Sequence, residues 1–329
     1  MSAAVLAIDG GNTKTDVALV GADGSLLASV RGGGSNYQGI GKDQMIVVLS
    51  ALVGEAAAMA CLPAGDAMPV AAHTSACLAG ADLPEEEADL LALIQLQGWS
   101  ATSSVVNDTF AVLRAGLDDG GKHWGVGVVC GAGTNCVGVA PDGRTTRFPA
   151  IGDISGDWGG GGDLGREALW WAVRAGDLRG PATELQAAVA AHFGQARIED
   201  VVVGLHFGRI RHAELHRLVP LLFAVAGHGD QVARAIVLRQ AEEIVTMATA
   251  AARRLGLEHE PAMPVILGGS LMTARDPLLS GTITRLCSER LPGAQVRIVD
   301  VPPVTGAALL GLDHVGAPAG AAARLRAAS

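Results

Sequence analysis

The chain has 329 residues, 49% hydrophobic and 17% charged, enough for two domains that each bury a core. A formal net charge of −9 with no Lys/Arg cluster argues against a nucleic-acid or anionic-membrane partner. Five cysteines at irregular spacing, none in a Cys-x-x-Cys pair, make no disulfide framework and fit a reducing cytoplasm.

The opening MSAAVLAIDGGNTK has no basic segment ahead of its apolar run and meets Asp9 early, so no signal peptide is expected. Apolar runs at Val5–Ile8, Thr15–Val20 and Leu26–Val30, separated by Asp-Gly turns, predict a three-stranded meander. A long Ala-rich helix is expected from Lys42 to Cys61. Its stretch Met45–Leu62 is the most membrane-like in the chain, but Glu55 interrupts it and the composition suits a packed helix. Val70–His73 reads as a short strand. Pro84-Glu85-Glu86-Glu87 opens a helix to Gln97, with proline in the first turn and acids at the positive end of the dipole. A strand at Ser104–Val106 runs into Asn107-Asp108, followed by a helix from Thr109 to Gly116.

The meander then repeats. Strands at Trp124–Val129, Cys136–Ala140 and Thr145–Phe148 are joined by Gly131-Ala132-Gly133-Thr134-Asn135 and by Pro141-Asp142-Gly143. This repetition implies two related halves, each with a glycine hairpin. A Gly-rich stretch at Gly152–Gly165 precedes helices at Glu167–Ala175, Thr183–His192, Ala213–Ala226 and Gln231–Leu255. Val265–Leu267 is a strand feeding Gly268-Gly269-Ser270. A helix at Leu278–Arg290, a strand at Gln295–Val299 and a helix at Val304–Leu312 follow, and Ala317–Ser329 is expected to be frayed.

Glycine hairpins can present consecutive backbone N–H groups to an anion, because no Cβ blocks the approach. Gly10, Gly11, Asn12, Thr13 and Lys14 form one candidate phosphate grip. Gly131, Gly133, Thr134 and Asn135 form the second, and Gly268, Gly269 and Ser270 offer a surface for adenosine. Asp9, at the end of an apolar strand, is a candidate Mg²⁺ residue acting through water, with a plain turn former as the alternative. Asp108 at a strand end is either a general base or the N-cap of the next helix. His212-Ala-Glu214-Leu-His216 lacks the zinc-protease spacing and, flanked by Arg209, Arg211 and Arg217, reads as a solvated face. Cys130 and Cys136 read as buried small hydrophobes. Trp170 and Trp171 read as packing residues. Trp158 stays open between packing and sugar stacking.

In order, AIDGGNTKTDVALV, VVNDTFAVL, VVCGAGTNCVGV and VILGGSL resemble the phosphate-1, catalytic-Asp, phosphate-2 and adenosine motifs of the actin/hexokinase-like (ASKHA) superfamily. In detail the chain resembles its N-acetylglucosamine kinase and BadF/BadG-type ATPase branch. GGGSNYQGIG is similar to that branch's sugar-contact turn, and PVTGAALLG to its closing helix. The resemblance implies an α/β fold of two duplicated actin/ribonuclease-H-like domains with an interdomain cleft. The first domain is expected at 1–116 plus about 305–329, and the second at 117–304.

It further implies ATP-dependent phosphorylation of an amino sugar with ATP and Mg²⁺ as cofactors. The roles it implies are Asp108 as base, with Ser35, Asn36, Asn107, Asp108, Gly156 and Asp157 on the substrate. One departure stands out: IGDISGDWGGGGDLG keeps the Gly156-Asp157 pair but replaces the following Glu by Trp158 and lacks the Gly-Trp-Gly segment. An iron–sulfur ATPase activator and a non-catalytic sugar sensor are the rival readings. A small-molecule sugar is the expected partner, and a homodimer remains open.

Overall fold

The computed structural model describes residues 3–62, 69–118 and 123–329. These form two compact units, one comprising Met1–Gly127, Val137–Pro149 and Arg297–Ser329, the other Val128–Cys136 and Ala150–Val296.

The first sheet contains β1 (Ala3–Gly10), β2 (Lys14–Val20), β3 (Leu26–Gly33), β4 (Ala71–Leu78) and β5 (Ser100–Asn107), in the order β3-β2-β1-β4-β5. β1 pairs antiparallel with β2, Asp9 opposite Asp16, and parallel with β4, Asp9 beside Cys77. β4 and β5 are parallel, with Leu78 beside Asn107. The second sheet contains β6 (Gly125–Cys130), β7 (Thr134–Val139), β8 (Thr145–Arg147), β9 (Pro264–Gly268) and β10 (Gln295–Ile298), in the order β10-β9-β6-β7-β8. Read from its other edge, this is the order of the first sheet. The repeat seen in the sequence is therefore a repeat of topology.

Thirteen α-helices are described: α1 (Tyr37–Ile40), α2 (Lys42–Met59), α3 (Pro84–Gln95), α4 (Asp108–Gly116), α5 (Gly161–Gly176), α6 (Leu185–His192), α7 (Ile198–His206), α8 (Val219–Gly227), α9 (Gln231–Leu255), α10 (Ser270–Thr273), α11 (Pro277–Arg290), α12 (Pro303–His314) and α13 (Ala321–Ala327). Among the described residues no single helix is long and apolar enough to cross a membrane. Short 3₁₀ turns occupy Gly152–Ser155 and His212–Leu218.

β1 shows why its run Val5–Ile8 is continuously apolar. Leu6 and Ile8 pack with Met45, Leu49 and Leu52 of α2 and Leu90 and Ile94 of α3. Val5 and Ala7 face the other way, into Ala111 of α4, Val304, Ala307, Leu309 and Leu312 of α12 and Leu325 of α13. A strand covered on both faces has no reason to alternate.

Four expectations change. The helix expected at 213–226 is a 3₁₀ turn followed by α8, with Pro220 in the first turn of α8, where a missing N–H costs nothing. Helix α7, absent from the sequence reading, carries Val201, Val202 and Val203, β-branched residues that weaken the local helical signal. β4 runs on to Leu78 through His73, Thr74 and Ser75, polar groups that are buried. The tail is ordered: Leu325 is buried, and Arg326 donates to the carbonyl oxygens of Arg114, Ala115 and Leu117 at the end of α4.

Candidate functional site

In the first unit the hairpin between β1 and β2 is closed by Gly11 N donating to Lys14 O at 2.9 Å. Ser35 lies beneath it. Its backbone N donates to Gly11 O, its hydroxyl accepts from Thr15 Oγ1 at 2.8 Å, and it is 2% exposed. Asn36 caps α1 through Oδ1, which accepts from Gln38 N, and its Nδ2 donates to Asn12 Oδ1 at 2.7 Å. The sugar-turn candidates Ser35 and Asn36 are thus tied to the phosphate candidates Gly11 and Asn12.

Asn107 and Asp108 take different parts. Asn107, the last residue of β5, is the N-cap: its Oδ1 accepts from Thr109 N at 3.0 Å. Asp108 is the first residue of α4, so its carboxyl is not spent on capping in the way Asn107 is. Desolvation pushes Asp108 up to about 6, partly countered by hydrogen bonds from Thr109. Desolvation together with the charges of Asp108 and Asp16 pushes Asp9 up to about 8. Lys14 and Arg31 pull it back, and Arg31 is itself held by Asp16 at 2.6 Å. A buried acid crowded by acids gains from a cation, and Asp9 offers the hard oxygen donor that Mg²⁺ takes alongside phosphate and water. No group of three or more His, Cys, Asp or Glu suited to a metal occurs among the described residues, which leaves Asp9 as a single-carboxylate candidate.

Asp82 is a residue the sequence reading missed. It follows β4, is 9% exposed, and accepts from Asn107 Nδ2 at 2.8 Å. Desolvation, then Asp108 and Glu86, raise it to about 7. Glu86 accepts from the backbone N of Asp82 and Leu83 and from the Tyr37 hydroxyl. Glu87 accepts from Asn107 N and from Arg147 at 2.6 Å. Two of the acids read as helix-dipole residues therefore also buttress the strand end that carries Asn107 and Asp108. Only the fold could disclose this, because β5 and α3 are adjacent in space and not in a motif.

In the second unit the hairpin Cys130–Thr134 is closed by Gly131 N donating to Gly133 O at 2.9 Å. Its carbonyls at Gly131 and Ala132 accept from Gly161 N at 2.8 Å and Gly162 N at 3.0 Å, in the first turn of α5. A trans peptide points its N–H opposite to its C=O. Fixing those two carbonyls toward α5 therefore turns the N–H groups of Ala132 and Gly133 the other way. A Cβ added at Gly131 or Gly133 would meet nothing within 4 Å, and neither residue has a positive φ. The fold itself does not require glycine at either position, whereas a ligand approaching the backbone would.

Gly268 ends β9. Gly269 (φ +91°) lies so close to Cys130 that a Cβ would fall 2.2 Å from its carbonyl oxygen, and Ser270 starts the short α10. The structure thus brings the adenosine candidates against the second hairpin. Gly156 closes the 3₁₀ turn with φ +77°, and Asp157 accepts from the Ser155 hydroxyl. Trp158 stacks under the Arg239 guanidinium at 3.8 Å, which answers the open choice for one of its faces. Glu214 pairs with Arg211 and Arg217, and the 3₁₀ turn removes the helical spacing on which a His212/His216 metal pair depends. Cys130 and Cys136 are buried. Desolvation pushes Cys130 up to about 12 and raises Cys136 as well, so both are inert thiols.

A family model for the BadF/BadG/BcrA/BcrD ATPases matches residues 6–311. The chain belongs to this family. Among its relatives is an N-acetyl-D-glucosamine kinase of Dictyostelium discoideum, 27% identical over 317 residues, 94% of this chain and 97% of that one. An N-acetylmuramic acid/N-acetylglucosamine kinase of Clostridium acetobutylicum is 27% identical over 265 residues, 80% of this chain and 84% of the relative. A crystal structure from Chromobacterium violaceum, provisionally described as an N-acetylglucosamine kinase, superposes with a TM-score of 0.71 at 27% identity, covering 94% of this chain and 98% of the other. A glucokinase of the ROK family from Streptomyces griseus, solved with glucose and AMPPNP, shares the fold at a TM-score of 0.56 and 16% identity over 94% of this chain and 98% of that one. The fold class expected from the motifs, a two-domain α/β actin-like architecture, is that of these neighbours.

Proposed function

We propose that the chain is an ATP-dependent kinase that phosphorylates a hydroxyl of an amino sugar, N-acetylglucosamine or glucosamine. The observation that carries this reading is the condition of Asp108: at a strand end, relieved of capping by Asn107, and raised to about 6 by desolvation. A general base works best with a pKa near the operating pH, where it is ionised yet still basic. The names of both curated relatives support the substrate class.

In this reading Asp108 accepts the proton of the sugar hydroxyl as its oxygen attacks the γ-phosphorus and ADP leaves. Asn107, held by Asp82, orients the sugar beside it, with Ser35, Asn36, Gly156 and Asp157 as further sugar contacts. The hairpin residues Gly10, Gly11, Asn12, Thr13 and Lys14 and Gly131, Gly133, Thr134 and Asn135 cradle the phosphates, with the amides of Gly11 and Gly131 spent on closing their own turns and that of Gly133 turned away from α5 as a donor. Gly268, Gly269 and Ser270 take the adenosine. Asp9 would hold Mg²⁺, which when bound neutralises phosphate charge. The rival iron–sulfur activator needs accessible cysteine ligands; Cys130 and Cys136, the thiols beside the second hairpin, are buried, and Cys61 lies in the exposed turn after α2.

The test is an ADP-release screen over N-acetylglucosamine, glucosamine, N-acetylmannosamine and glucose. Sugar-dependent release by the wild type is expected, with a loss of roughly 10²–10⁴-fold in kcat for Asp108→Asn, the usual scale of a general base. Absence of sugar-dependent release overturns the reading. Wild-type turnover by the variant overturns the role of Asp108 alone.

A further inference from the structure

Helix α9 turns an apolar stripe toward the interior of its unit: Ala233, Ile236, Val237, Ala241, Ile244 and Ala248 are all buried. Gln240 falls in the middle of that stripe and is 0% exposed. A leucine or methionine would fill the volume without desolvating an amide, and an amide buried there is unfavourable unless both its ends are bonded. Both ends are. Oε1 accepts from Gly160 N at 2.8 Å, and Nε2 lies 3.4 Å from Thr134 Oγ1 and 3.6 Å from Cys130 Sγ. One side chain thus joins α9, the strap Gly159–Gly160 that leads into α5, and the second glycine hairpin.

The strap is fitted around this amide. At Gly159 (φ +121°) a Cβ would come 2.7 Å from Gln240 Nε2 and Oε1 and 2.8 Å from Thr134 Oγ1. At Gly160 (φ +83°) it would come 2.5 Å from the Gly133 backbone. Immediately after the strap, Gly161 N and Gly162 N hold the hairpin carbonyls of Gly131 and Ala132. Those are the two bonds that turn the amides of Ala132 and Gly133 away from α5. The chain of support runs from Gln240 to the strap, from the strap to the first turn of α5, and from there to the hairpin peptides.

We infer that Gln240 is a positioning residue for nucleotide binding. By pinning Gly160 and Thr134 it sets the peptide planes of the Gly131–Gly133 turn, so that their N–H groups meet the phosphates of an adenine nucleotide. This rests on the ATP-dependent reading above for the identity of the ligand. Gln240 touches no substrate and acts through the hairpin.

The test measures binding of MgADP and MgATP by calorimetry, together with KM for N-acetylglucosamine and the Tm, in wild type, Gln240→Met and Gln240→Glu. Methionine keeps the volume and removes the amide's bonds to Gly160, Thr134 and Cys130. Glutamate keeps an oxygen opposite Gly160 N. The expected result for Gln240→Met is a roughly 10–100-fold rise in Kd for both nucleotides, with KM for the sugar within about 2-fold of wild type and partial recovery in Gln240→Glu. Gly159→Ala, which presses on the same amide from the strap, is expected to give the same selective loss. Nucleotide affinity within about 2-fold of wild type in a folded Gln240→Met protein overturns the inference. So does a parallel loss of nucleotide and sugar affinity, which marks a structural residue only. Loss of cooperative unfolding in both Gln240→Met and Gly159→Ala overturns it for the same reason. If the wild type binds neither nucleotide, the kinase reading falls as well. If it binds MgATP without sugar-dependent turnover, the kinase reading falls and the role of Gln240 stands.

Discussion

The two glycine hairpins join corresponding strands of two sheets with the same strand order, yet their surroundings differ. The first is flanked by acids, Asp9 and Asp16, with Lys14 and Arg31 as partial compensation, and Asp108 adds its charge. The second is flanked by the thiols Cys130 and Cys136 and tied by Thr134 and Gln240, none of them charged at neutral pH. Their glycines also serve different ends. A Cβ at Gly10 would come 2.7 Å from Leu78 Cδ2 and 2.7 Å from Ser35 Oγ, whereas Gly131 and Gly133 open onto space. One copy of the repeated topology carries the charged groups on which the proposed chemistry relies, and the other offers neutral backbone donors. A phosphoryl-transfer site has use for both, since developing charge must be met by cations and dipoles while a proton is taken by a carboxylate.

The sharpest way to break this comparison is to place one methyl group on each hairpin. Gly133→Ala is expected to weaken MgATP binding by about 10-fold or more with Tm unchanged or slightly raised, because the chain loses unfolded-state freedom without a clash. Gly10→Ala is expected to lower Tm by several degrees, because Leu78 and Ser35 must move. Calorimetry and thermal melts on both variants decide it, and equal Tm losses would erase the distinction between the hairpins.

A second, smaller effect tests the charged side. With Asp108 raised to about 6, log kcat/KM is expected to fall with unit slope below about pH 6, roughly 10-fold by pH 5, because only the ionised carboxylate accepts a proton. The second hairpin carries no charged side chain of its own, so any pH dependence of MgATP affinity over this range is expected to come from Asp9 and the nucleotide phosphates. A kcat/KM profile level down to pH 5 would remove Asp108 from the assigned role.

The smallest effect lies away from both hairpins. His73 is buried, stacked on His314 at 3.9 Å, with its two ring nitrogens on Thr102 Oγ1 at 2.9 Å and Ser104 Oγ at 3.1 Å. Desolvation, then His314, lowers its pKa to about 4. Protons therefore bind the unfolded chain more readily, and stability falls as pH drops from about 6.5 toward 4. The difference in Tm between wild type and His73→Gln should shrink by a few degrees between pH 7 and pH 5. A constant difference would show that the pair does not titrate with folding.

Much of the fold was legible because its signals are local. The hairpin strands carry continuous apolar runs ending in Asp-Gly or Gly-rich turns, and α9 is capped by Asp230 and closed by Gly256 (φ +72°), so its sequence boundaries coincide with those observed. The start of α5 at Gly161 was not legible, because glycines disfavour helix and the bonds that fix it come from the distant hairpin carbonyls. The same limit applies to the site. Gly-rich turns and Asn107-Asp108 announce themselves as motifs, but Asp82 gains its meaning only from Asn107, 25 positions away. Gln240 did leave a trace: an amide in phase with the apolar face of a 25-residue helix is a sequence anomaly that asks for a buried partner.

Arg326, near the end of the chain, caps the three carbonyls at the far end of the helix that Asp108 begins. Clipping away Ala321–Ser329 would leave those acceptors without their donor and expose the apolar floor under Leu325, so that helix α4 would be free to unwind from its C-terminal turn toward Asp108. A tag or fusion at this end therefore lies one helix length from the proposed general base. Such an appendage belongs on a spacer long enough to leave Arg326 in place.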